Sequence, residues 1–201
     1  NDTTIVTLVN GIMLDNMESG DSLNASGWLW YVTGDSSIGG NSFFTNFEKD
    51  SIGHYKIIPA QGAGYDSSSG FRIDYSMGDK ANCWGGHSVR AGIILTGGNT
   101  VDMSVNKKLS FWAKSSTENT FIVQIRTQND TCDDDAYKQI IEISPEWNEY
   151  TIDVTGNDFS CPMWVSEHSF DAEKVVGISW YIEGSSNATG WLAVDNIYLH
   201  E

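Results

Sequence analysis

Aromatic and polar side chains alternate with apolar residues in several short segments of this chain. In residues 107–116, KKLSFWAKSS, Leu109, Phe111 and Ala113 form an apolar set, and Trp112 lies in the opposite set. Successive side chains of a β-strand point to opposite faces of the sheet. An extended segment that buries the apolar set would therefore direct Trp112 towards water.

The same rule predicts further outward side chains in TFIVQIRTQ, GISWYIEG and NCWGGHSVRAGIIL. They are Gln124 and Arg126, Tyr181, and Trp84 and Arg90, respectively. If these strands share one sheet with the Trp112 segment, its outer face carries two indoles, a phenol, two guanidiniums and an amide.

Such a set of side chains suits a pyranose ring, which has an apolar C–H face and a rim of hydroxyls. An aromatic plane under the C–H face buries apolar area worth roughly 25 cal/mol per Å². Planar donors and acceptors at the rim add hydrogen bonds of about 0.5–1.5 kcal/mol each. The pattern predicts a polysaccharide groove. The alternative is that Trp112 lies under a loop and Arg126 pairs with a carboxylate.

The elements that position these residues are predicted to be short strands. Period-two alternation recurs along the chain, and clusters such as GDSSIGGNS and LTGGNT separate the segments. No internal repeat or dividing linker is evident in the sequence. We therefore expect residues 1–201 to form a single all-β module, an antiparallel two-sheet β-sandwich of the jelly-roll type, excised from a larger secreted protein.

The charge balance limits the partners. The formal net charge is −16, with only 11 Lys plus Arg. The negative electrostatic potential of such a chain repels phosphate backbones and anionic membrane surfaces, so we expect neither nucleic acid nor membrane as a partner. Neutral polysaccharides and cations such as Ca²⁺ are compatible with it. We expect the module to be a monomer.

The chain has three cysteines, Cys83, Cys132 and Cys161. No pair has the close C-x-x-C spacing of a zinc or redox site. Cys132 and Cys161 both lie in polar, turn-rich segments, which favours a disulfide between them and leaves Cys83 as a buried thiol. The alternative is three reduced cysteines.

Several motifs occur in the same order as in a known family. They include IMLDNMESG, SSGFRIDYSMGDKANCWGG, KKLSFWAKS, FIVQIR, SPEWNEYTIDV and GWLAVDNIYL. From residue 12 to 199 the chain resembles family 11 carbohydrate-binding modules. The resemblance implies a concave-face groove for single β-1,4-glucan, mixed-linkage β-1,3-1,4-glucan or cello-oligosaccharide chains, in modules appended to secreted glycoside hydrolases.

The resemblance also assigns individual residues. Arg126 stands at the family's binding-strand arginine, whereas Ser179 stands where a family histidine is expected, with Tyr181 two residues on. Trp84 and Trp112 could compensate for this departure or indicate a different glycan. The segment 31–62 is expected to reshape one wall of the groove.

A structural calcium ion is implied at Asp15, Glu18 and Asp195, which correspond to family positions that hold one. The first and last strands of a jelly roll can pair, which would bring these carboxylates together. Three buried like charges repel without a cation, and Ca²⁺ accepts 6–8 oxygen ligands, to which carbonyls of residues 39–50 could contribute. The alternative is that Asp195 caps a turn while Asp15 and Glu18 are solvated.

We find no catalytic motif. The Glu-x-Asp-x-x-Glu and Glu-x-Asp-x-Glu runs of jelly-roll glucanases and the Gly-x-Ser-x-Gly elbow are absent from the sequence, and its four histidines are scattered. The absence of these motifs favours a non-catalytic module, and the resemblance implies an extracellular one that binds β-glucan and targets an appended glycoside hydrolase to plant cell-wall polysaccharide. A small jelly-roll glycoside hydrolase and a structural domain of a cell-surface assembly are the alternatives.

Overall fold

The computed structural model describes residues 11–20, 22–24, 27–48, 51, 57, 60–95, 99–116, 119–128, 137–155 and 170–201. The predicted disulfide partners, Cys132 and Cys161, lie outside these residues, so their pairing stays a prediction.

Within the described residues the chain forms twelve strands. In order they are β1 (Gly11–Asp15), β2 (Leu29–Gly34), β3 (Phe43–Phe44), β4 (Ala60–Gln61), β5 (Ser69–Ser76), β6 (His87–Ile94), β7 (Lys108–Ser115), β8 (Asn119–Thr127), β9 (Tyr137–Ile143), β10 (Asn148–Asp153), β11 (Val175–Gly184) and β12 (Thr189–His200). Short 3₁₀ helices occur at Asp35–Ile38 and Ala172–Lys174. Among the described residues, no helix is long and apolar enough to cross a membrane.

The strands form two antiparallel sheets. Sheet A has the order β10-β7-β12-β5-β3, with β1 also beside β12 and β4 also beside β5. Sheet B has the order β2-β6-β11-β8-β9. The predicted all-β, antiparallel two-sheet β-sandwich is confirmed.

The apolar residues that alternate with polar ones in the sequence are the residues that the strands bury. In β5, Phe71, Ile73 and Tyr75 are buried while Arg72 and Asp74 are only partly covered. In β11, the buried set is Ile178, Trp180 and Ile182, although Ser179 between them is also covered. Each sheet thus turns one apolar face towards the other, as expected for a sandwich.

Aromatic rings join the two sheets at the centre of the core. Trp30 of sheet B stacks on Phe71 of sheet A with ring centroids 4.1 Å apart. Trp180 of sheet B meets Phe111 of sheet A edge to face at 5.4 Å, and Trp30 lies 6.0 Å from Trp180. Offset and edge-to-face aromatic pairs add about 0.5–1.5 kcal/mol each beyond their buried area.

A buried carboxyl group is hydrogen-bonded to this aromatic group. The Trp30 Nε1–H donates a 2.6 Å hydrogen bond to Asp15 Oδ2, and the Met17 N–H donates a 2.8 Å bond to Asp15 Oδ1. Asp15 is only 2% exposed. The end of β1 is thereby anchored to the aromatic centre of the core.

The sheet assignment overturns one sequence-based interpretation. Trp112 lies in β7 of sheet A, whereas Arg90, Arg126 and Tyr181 lie in β6, β8 and β11 of sheet B. Although β7 and β8 are consecutive in the chain, β7 pairs with β10 and β12 and β8 pairs with β9 and β11. Trp112 therefore does not share an outer face with the other predicted groove residues.

We predict that Trp30→Phe lowers the free energy of unfolding by about 3 kcal/mol, because it removes a hydrogen bond to a buried carboxylate and part of the ring packing. Urea unfolding monitored by far-ultraviolet circular dichroism measures this. Trp191→Phe is the matched control, because Trp191 is half-buried on the outer face of sheet A and should cost less than about 1 kcal/mol. Equal losses in the two variants would contradict the role given to Trp30.

Candidate functional site

A cavity of about 320 Å³ lies on the outer face of sheet B. Four of the six predicted ligand-binding residues line it: Trp84, Arg90, Arg126 and Tyr181. The remaining lining residues come from the end of β2, the following 3₁₀ helix and the start of β6: Thr33, Gly34, Asp35, Ser37, Ile38, Ser88 and Val89.

The two strands at the centre of the site place a guanidinium beside a phenol ring. Arg90 of β6 and Tyr181 of β11 are register partners, and the Arg90 Cζ lies 5.2 Å from the centroid of the Tyr181 ring. Such a contact is a cation–π interaction and orients the guanidinium over the ring. The Arg90 Nε is buried and has no hydrogen-bond partner within the described residues.

Small residues separate Arg126 from this pair. Arg126 is the register partner of Gly177, and the next outward row places Ser179 opposite Gly92. A Cβ built on Gly92 would lie 2.5 Å from the Ile178 carbonyl oxygen and 2.6 Å from the Ser179 Cβ, so a larger residue does not fit there. Both guanidiniums line the same cavity.

One wall of the cavity is fixed by a buried carboxylate. Asp35 is 3% exposed and accepts hydrogen bonds from the Ser42 N–H at 2.7 Å, the Ser42 hydroxyl at 2.9 Å and the Ser88 N–H at 3.0 Å. A Cβ on Gly40 would lie 2.3 Å from the Asp35 Cγ. These contacts fasten the segment after β2 to the start of β6.

This wall of the cavity was only indirectly predictable from the sequence. Residues 33–35, 37 and 38, which line the cavity, belong to segment 31–62, and the expectation that this segment reshapes one wall of the groove stays a prediction. The individual residue Asp35 was missed, because GDSSIGGNS has the composition of an ordinary turn. The signal that could have found it is an acidic residue followed by serines and close-packed glycines.

The structure corrects the prediction that Gln124 is exposed on the outer face. It belongs to the outward set of β8, as predicted, but it is fully buried, and its Oε1 accepts a 3.2 Å hydrogen bond from the Ser179 hydroxyl. Ser179 is also buried, at 1% exposure. The alternation along β8 predicted the direction of the Gln124 side chain but not its burial. Gln124 therefore lies beneath the cavity and does not line it.

Trp112 does point to the outer side of its own sheet, but a second ring covers it. Tyr65 stacks on Trp112 with a centroid separation of 3.5 Å and an interplanar angle of 6°. Trp147 lies 6.1 Å from Tyr65, and the Lys114 ammonium lies 4.8 Å from the Trp147 ring centre. The alternative reading, in which Trp112 lies under a loop, is the one observed.

The three predicted calcium ligands lie near the paired first and last strands. As expected, β1 and β12 pair, with Asp15 opposite Ile197. Asp195 Oδ2 accepts from the Tyr65 N–H at 2.7 Å and from the Ser67 hydroxyl at 2.8 Å. Glu18 is exposed and accepts from the Ser68 hydroxyl at 2.6 Å and the Ser69 N–H at 2.9 Å, respectively.

The three carboxyl groups accept hydrogen bonds, which a carboxylate can do while it also binds a cation. The protein partners of Asp15, Glu18 and Asp195 given above are N–H and O–H donors, which present hydrogen atoms and not oxygen lone pairs. Across the ranges that the structure describes, no three His, Cys, Asp or Glu side chains form a group that could hold a metal ion. Calcium binding at Asp15, Glu18 and Asp195 stays a prediction from the resemblance.

The two loop-bound carboxyl groups have opposite pKa shifts. Burial raises the pKa of Asp195, against the effect of its three hydrogen bonds, and the nearby Glu18 carboxylate raises it slightly further. The Ser68 hydroxyl and the Ser69 N–H lower the pKa of Glu18. Loop 65–69 therefore donates hydrogen bonds to two carboxyl groups, and burial of one of them, Asp195, disfavours its ionised form.

The structure also corrects the prediction for the Cys83 thiol. It was expected to be a buried thiol, but it is exposed and free. It lies in the turn that precedes β6, where its N–H donates to the Ile38 carbonyl at 2.8 Å and its side chain is left outside the core.

No family model matches the chain. A curated relative, Endoglucanase 3 of Fibrobacter succinogenes (strain ATCC 19169 / S85), is 26% identical over 199 residues. The match covers 95% of this chain and 27% of the relative, so the chain spans about a quarter of that protein's length.

Solved structures share the fold. A family 11 carbohydrate-binding module from Clostridium thermocellum, in complex with a β-1,3-1,4-mixed-linked tetrasaccharide, matches with a TM-score of 0.55 and 17% identity over 96% of both chains. A family 30 module of a cellulosomal cellulase of the same organism matches with a TM-score of 0.53 and 14% identity over 87% of this chain and 96% of that one. The chain thus has the β-sandwich fold of these carbohydrate-binding modules, as the resemblance implied.

The opposite pKa shifts predict opposite pH dependences for two variants. The folded protein holds the Asp195 proton more tightly than the unfolded chain does, so this group's contribution to stability is lost as the pH rises through the folded pKa. The unfolding free energy of the wild type should therefore fall relative to that of Asp195→Asn as the pH rises above about 4, the ordinary pKa of an aspartic acid.

Glu18→Gln is the control with the opposite sign, because the lowered pKa of Glu18 contributes stability that is lost as the pH falls. Urea unfolding at a series of pH values measures both differences. Parallel slopes for the two variants would show that the loop does not hold the two carboxylates in different environments.

Proposed function

We propose that this chain is a non-catalytic module that binds single β-glucan chains in the sheet B cavity and targets an appended glycoside hydrolase to plant cell-wall polysaccharide. The observation that carries the proposal is the composition of that cavity. Two aromatic rings, Trp84 and Tyr181, and two of the chain's three arginines, Arg90 and Arg126, line one space. This is the combination that a hydroxylated ring with an apolar face requires.

The geometry supports ring stacking with polar contacts at the rim. Trp84 is 80% exposed, so its indole is available to a ligand. The guanidinium of Arg90 is held over Tyr181, and Thr33, Ser37 and Ser88 add hydroxyls to the cavity wall. The volume of about 320 Å³ lies at the lower end of the range for small-ligand sites and suits a sugar unit better than a large aromatic ligand.

The comparisons support the same proposal. The family 11 module of similar fold is in complex with a mixed-linkage glucan tetrasaccharide, and the curated relative is an endoglucanase about four times as long as the matched region. In this proposal the module acts outside the cell, where plant polysaccharide is found. The calcium ion implied by the resemblance remains part of the proposal and is tested by a shift of the melting temperature on addition of Ca²⁺.

Affinity electrophoresis on gels containing barley β-glucan tests the proposal. We expect the wild-type module to be retarded, and we expect Arg126→Ala and Trp84→Ala to weaken binding about tenfold each. The loss of a charge-assisted hydrogen bond or of a stacking ring costs enough to give such a factor. Gels containing xylan, mannan or an acidic pectin show whether binding is restricted to glucan.

Trp112→Ala is the control for this experiment, because Trp112 lies on the opposite sheet beneath Tyr65. It should migrate like wild type on the glucan gel. Retardation that is lost in Trp112→Ala and retained in Arg126→Ala would place the ligand on sheet A and overturn the proposed site. Release of reducing sugar from the glucan by the purified module would instead favour the glycoside hydrolase.

A further inference from the structure

Trp84 belongs to the loop between β5 and β6, residues 77–86, which we call the Trp84 loop. Its indole lines the cavity described above and also a second cavity of about 430 Å³, whose lining includes Tyr181, Lys138 and Glu183. Trp84 is 80% exposed, so packing of the indole itself contributes little to its position. The position of the ring at the two cavities therefore depends on how the backbone of the loop is held.

A tight turn fixes the shape of the Trp84 loop at its end. The Asn82 N–H donates to the Gly86 carbonyl at 2.8 Å, and the Asn82 side-chain oxygen accepts from the Trp84 N–H at 2.9 Å. Gly85 has a φ of 85°, a left-handed value that favours glycine. These contacts lie within the turn, so they set its shape and not its place on the protein.

The place of the Trp84 loop is set by hydrogen bonds to segment 35–42, which follows β2 and contains the first 3₁₀ helix. They join the Cys83 N–H to the Ile38 carbonyl at 2.8 Å, the Lys80 N–H to the Asn41 side-chain oxygen at 2.9 Å, the Asn41 side-chain nitrogen to Asp79 Oδ1 at 2.8 Å and the Gly78 N–H to the Ser42 hydroxyl at 3.2 Å. Because these bonds are spread along the loop, segment 35–42 supports most of its length.

Asp35 in turn holds this supporting segment. Its Oδ1 accepts from the Ser42 N–H at 2.7 Å, and its Oδ2 accepts from the Ser42 hydroxyl at 2.9 Å and from the Ser88 N–H at 3.0 Å. The Ser42 hydroxyl is also the acceptor for the Gly78 N–H, at the start of the Trp84 loop. Ser88 lies directly beyond the other end of that loop. One buried carboxylate thus connects both ends of the loop that carries Trp84.

We infer that Asp35 is a positioning residue for glucan binding, which acts through Trp84 by holding the Trp84 loop in place. This inference rests on the proposed function, since it concerns what holds the stacking ring of the same site. A ring that is held in place before the ligand arrives loses less conformational freedom on binding, which strengthens the complex.

The hydrogen bonds at position 35 require a carboxylate. Asp35 Oδ1 accepts from one backbone N–H, that of Ser42, and Oδ2 accepts from another, that of Ser88. An asparagine side chain has one oxygen and one NH₂ group, so either orientation directs its NH₂ group against a backbone N–H. Asp35→Asn therefore removes one of these supports with little change in side-chain size.

Hydrogen exchange of the whole chain, measured by mass spectrometry without ligand, tests the structural step. Asp35→Asn should speed exchange in peptides that cover residues 77–88 about tenfold, because the loop opens more often, and should leave peptides from β8 unchanged. Asp171→Asn, which alters a carboxyl group at the other 3₁₀ helix, is the matched control and should leave residues 77–88 unchanged. Equal acceleration in β8 would show a general loss of stability and overturn the inference.

A double-mutant cycle, measured by isothermal titration calorimetry with barley β-glucan, tests whether Asp35 acts through Trp84. Asp35→Asn should weaken binding about fivefold in the wild-type background and less than about twofold in the Trp84→Ala background, where the loop has no ring to position. In the Arg126→Ala background the full effect should remain, because Arg126 lies in β8 and not in this loop. A full effect that remains in Trp84→Ala would show that Asp35 acts on the glucan by another route and would overturn the inference.

Ser42→Ala serves the same cycle if Asp35→Asn does not fold. It removes the hydroxyl that links Asp35 to Gly78 and keeps the Ser42 N–H, so it should weaken binding about twofold to threefold, again only when Trp84 is present. Unchanged binding in these variants, with the tenfold loss retained in Trp84→Ala, would overturn the inference and leave the proposed function intact. A wild-type module that does not bind barley β-glucan would overturn both.

Discussion

The arrangement of the outer surface depends on the aromatic contact between the two sheets. Trp30 and Trp180 of sheet B pack against Phe71 and Phe111 of sheet A, and Asp15 is hydrogen-bonded to this group through the Trp30 indole. Because side chains alternate along a strand, fixing the inward residues also fixes the outward ones. The packing of Trp180 in β11 thus determines that its neighbour Tyr181 faces the cavity, and a register slip of one residue would lose both the core and the site.

This dependence explains how much the sequence could predict. The alternation around Ile125 and Trp180 correctly predicted two strands and the outward direction of Arg126 and Tyr181, because both are local properties. It could not predict which strands pair, since β7 and β8 follow each other in the chain and belong to different sheets. Trp112 was therefore assigned the correct orientation on the wrong sheet. The burial of Gln124 likewise depends on tertiary neighbours that a strand pattern does not encode.

Trp112 contributes to structure on the side opposite to the candidate site. Its register partner in β12 is Asp195, and Tyr65 contacts both residues, with its ring on the indole and its N–H on the carboxylate. The stack holds the loop whose next residues donate to Asp195 and Glu18. An apolar contact between two rings thereby positions the hydrogen-bond donors that stabilise a buried carboxylate, which accounts for a tryptophan at this position without a ligand.

The net charge of −16 does not by itself decide which polysaccharide the cavities accept. Exposed charges are screened over about 8 Å at physiological ionic strength, so a ligand inside the cavities is affected mainly by the groups that line them. The first cavity is lined by Arg90, Arg126 and Asp35, and the second by Lys138 and Glu183, which leaves an excess of one positive formal charge over both. The Arg90 guanidinium is also engaged by the Tyr181 ring. A polyanion would be repelled on approach by the protein as a whole and attracted by only one uncompensated cation within the cavities, whereas a neutral chain is not repelled. The local excess of positive charge is small because Asp35 and Glu183 offset two of the three cations, so an uncharged glycan is compatible with both the local and the overall charge.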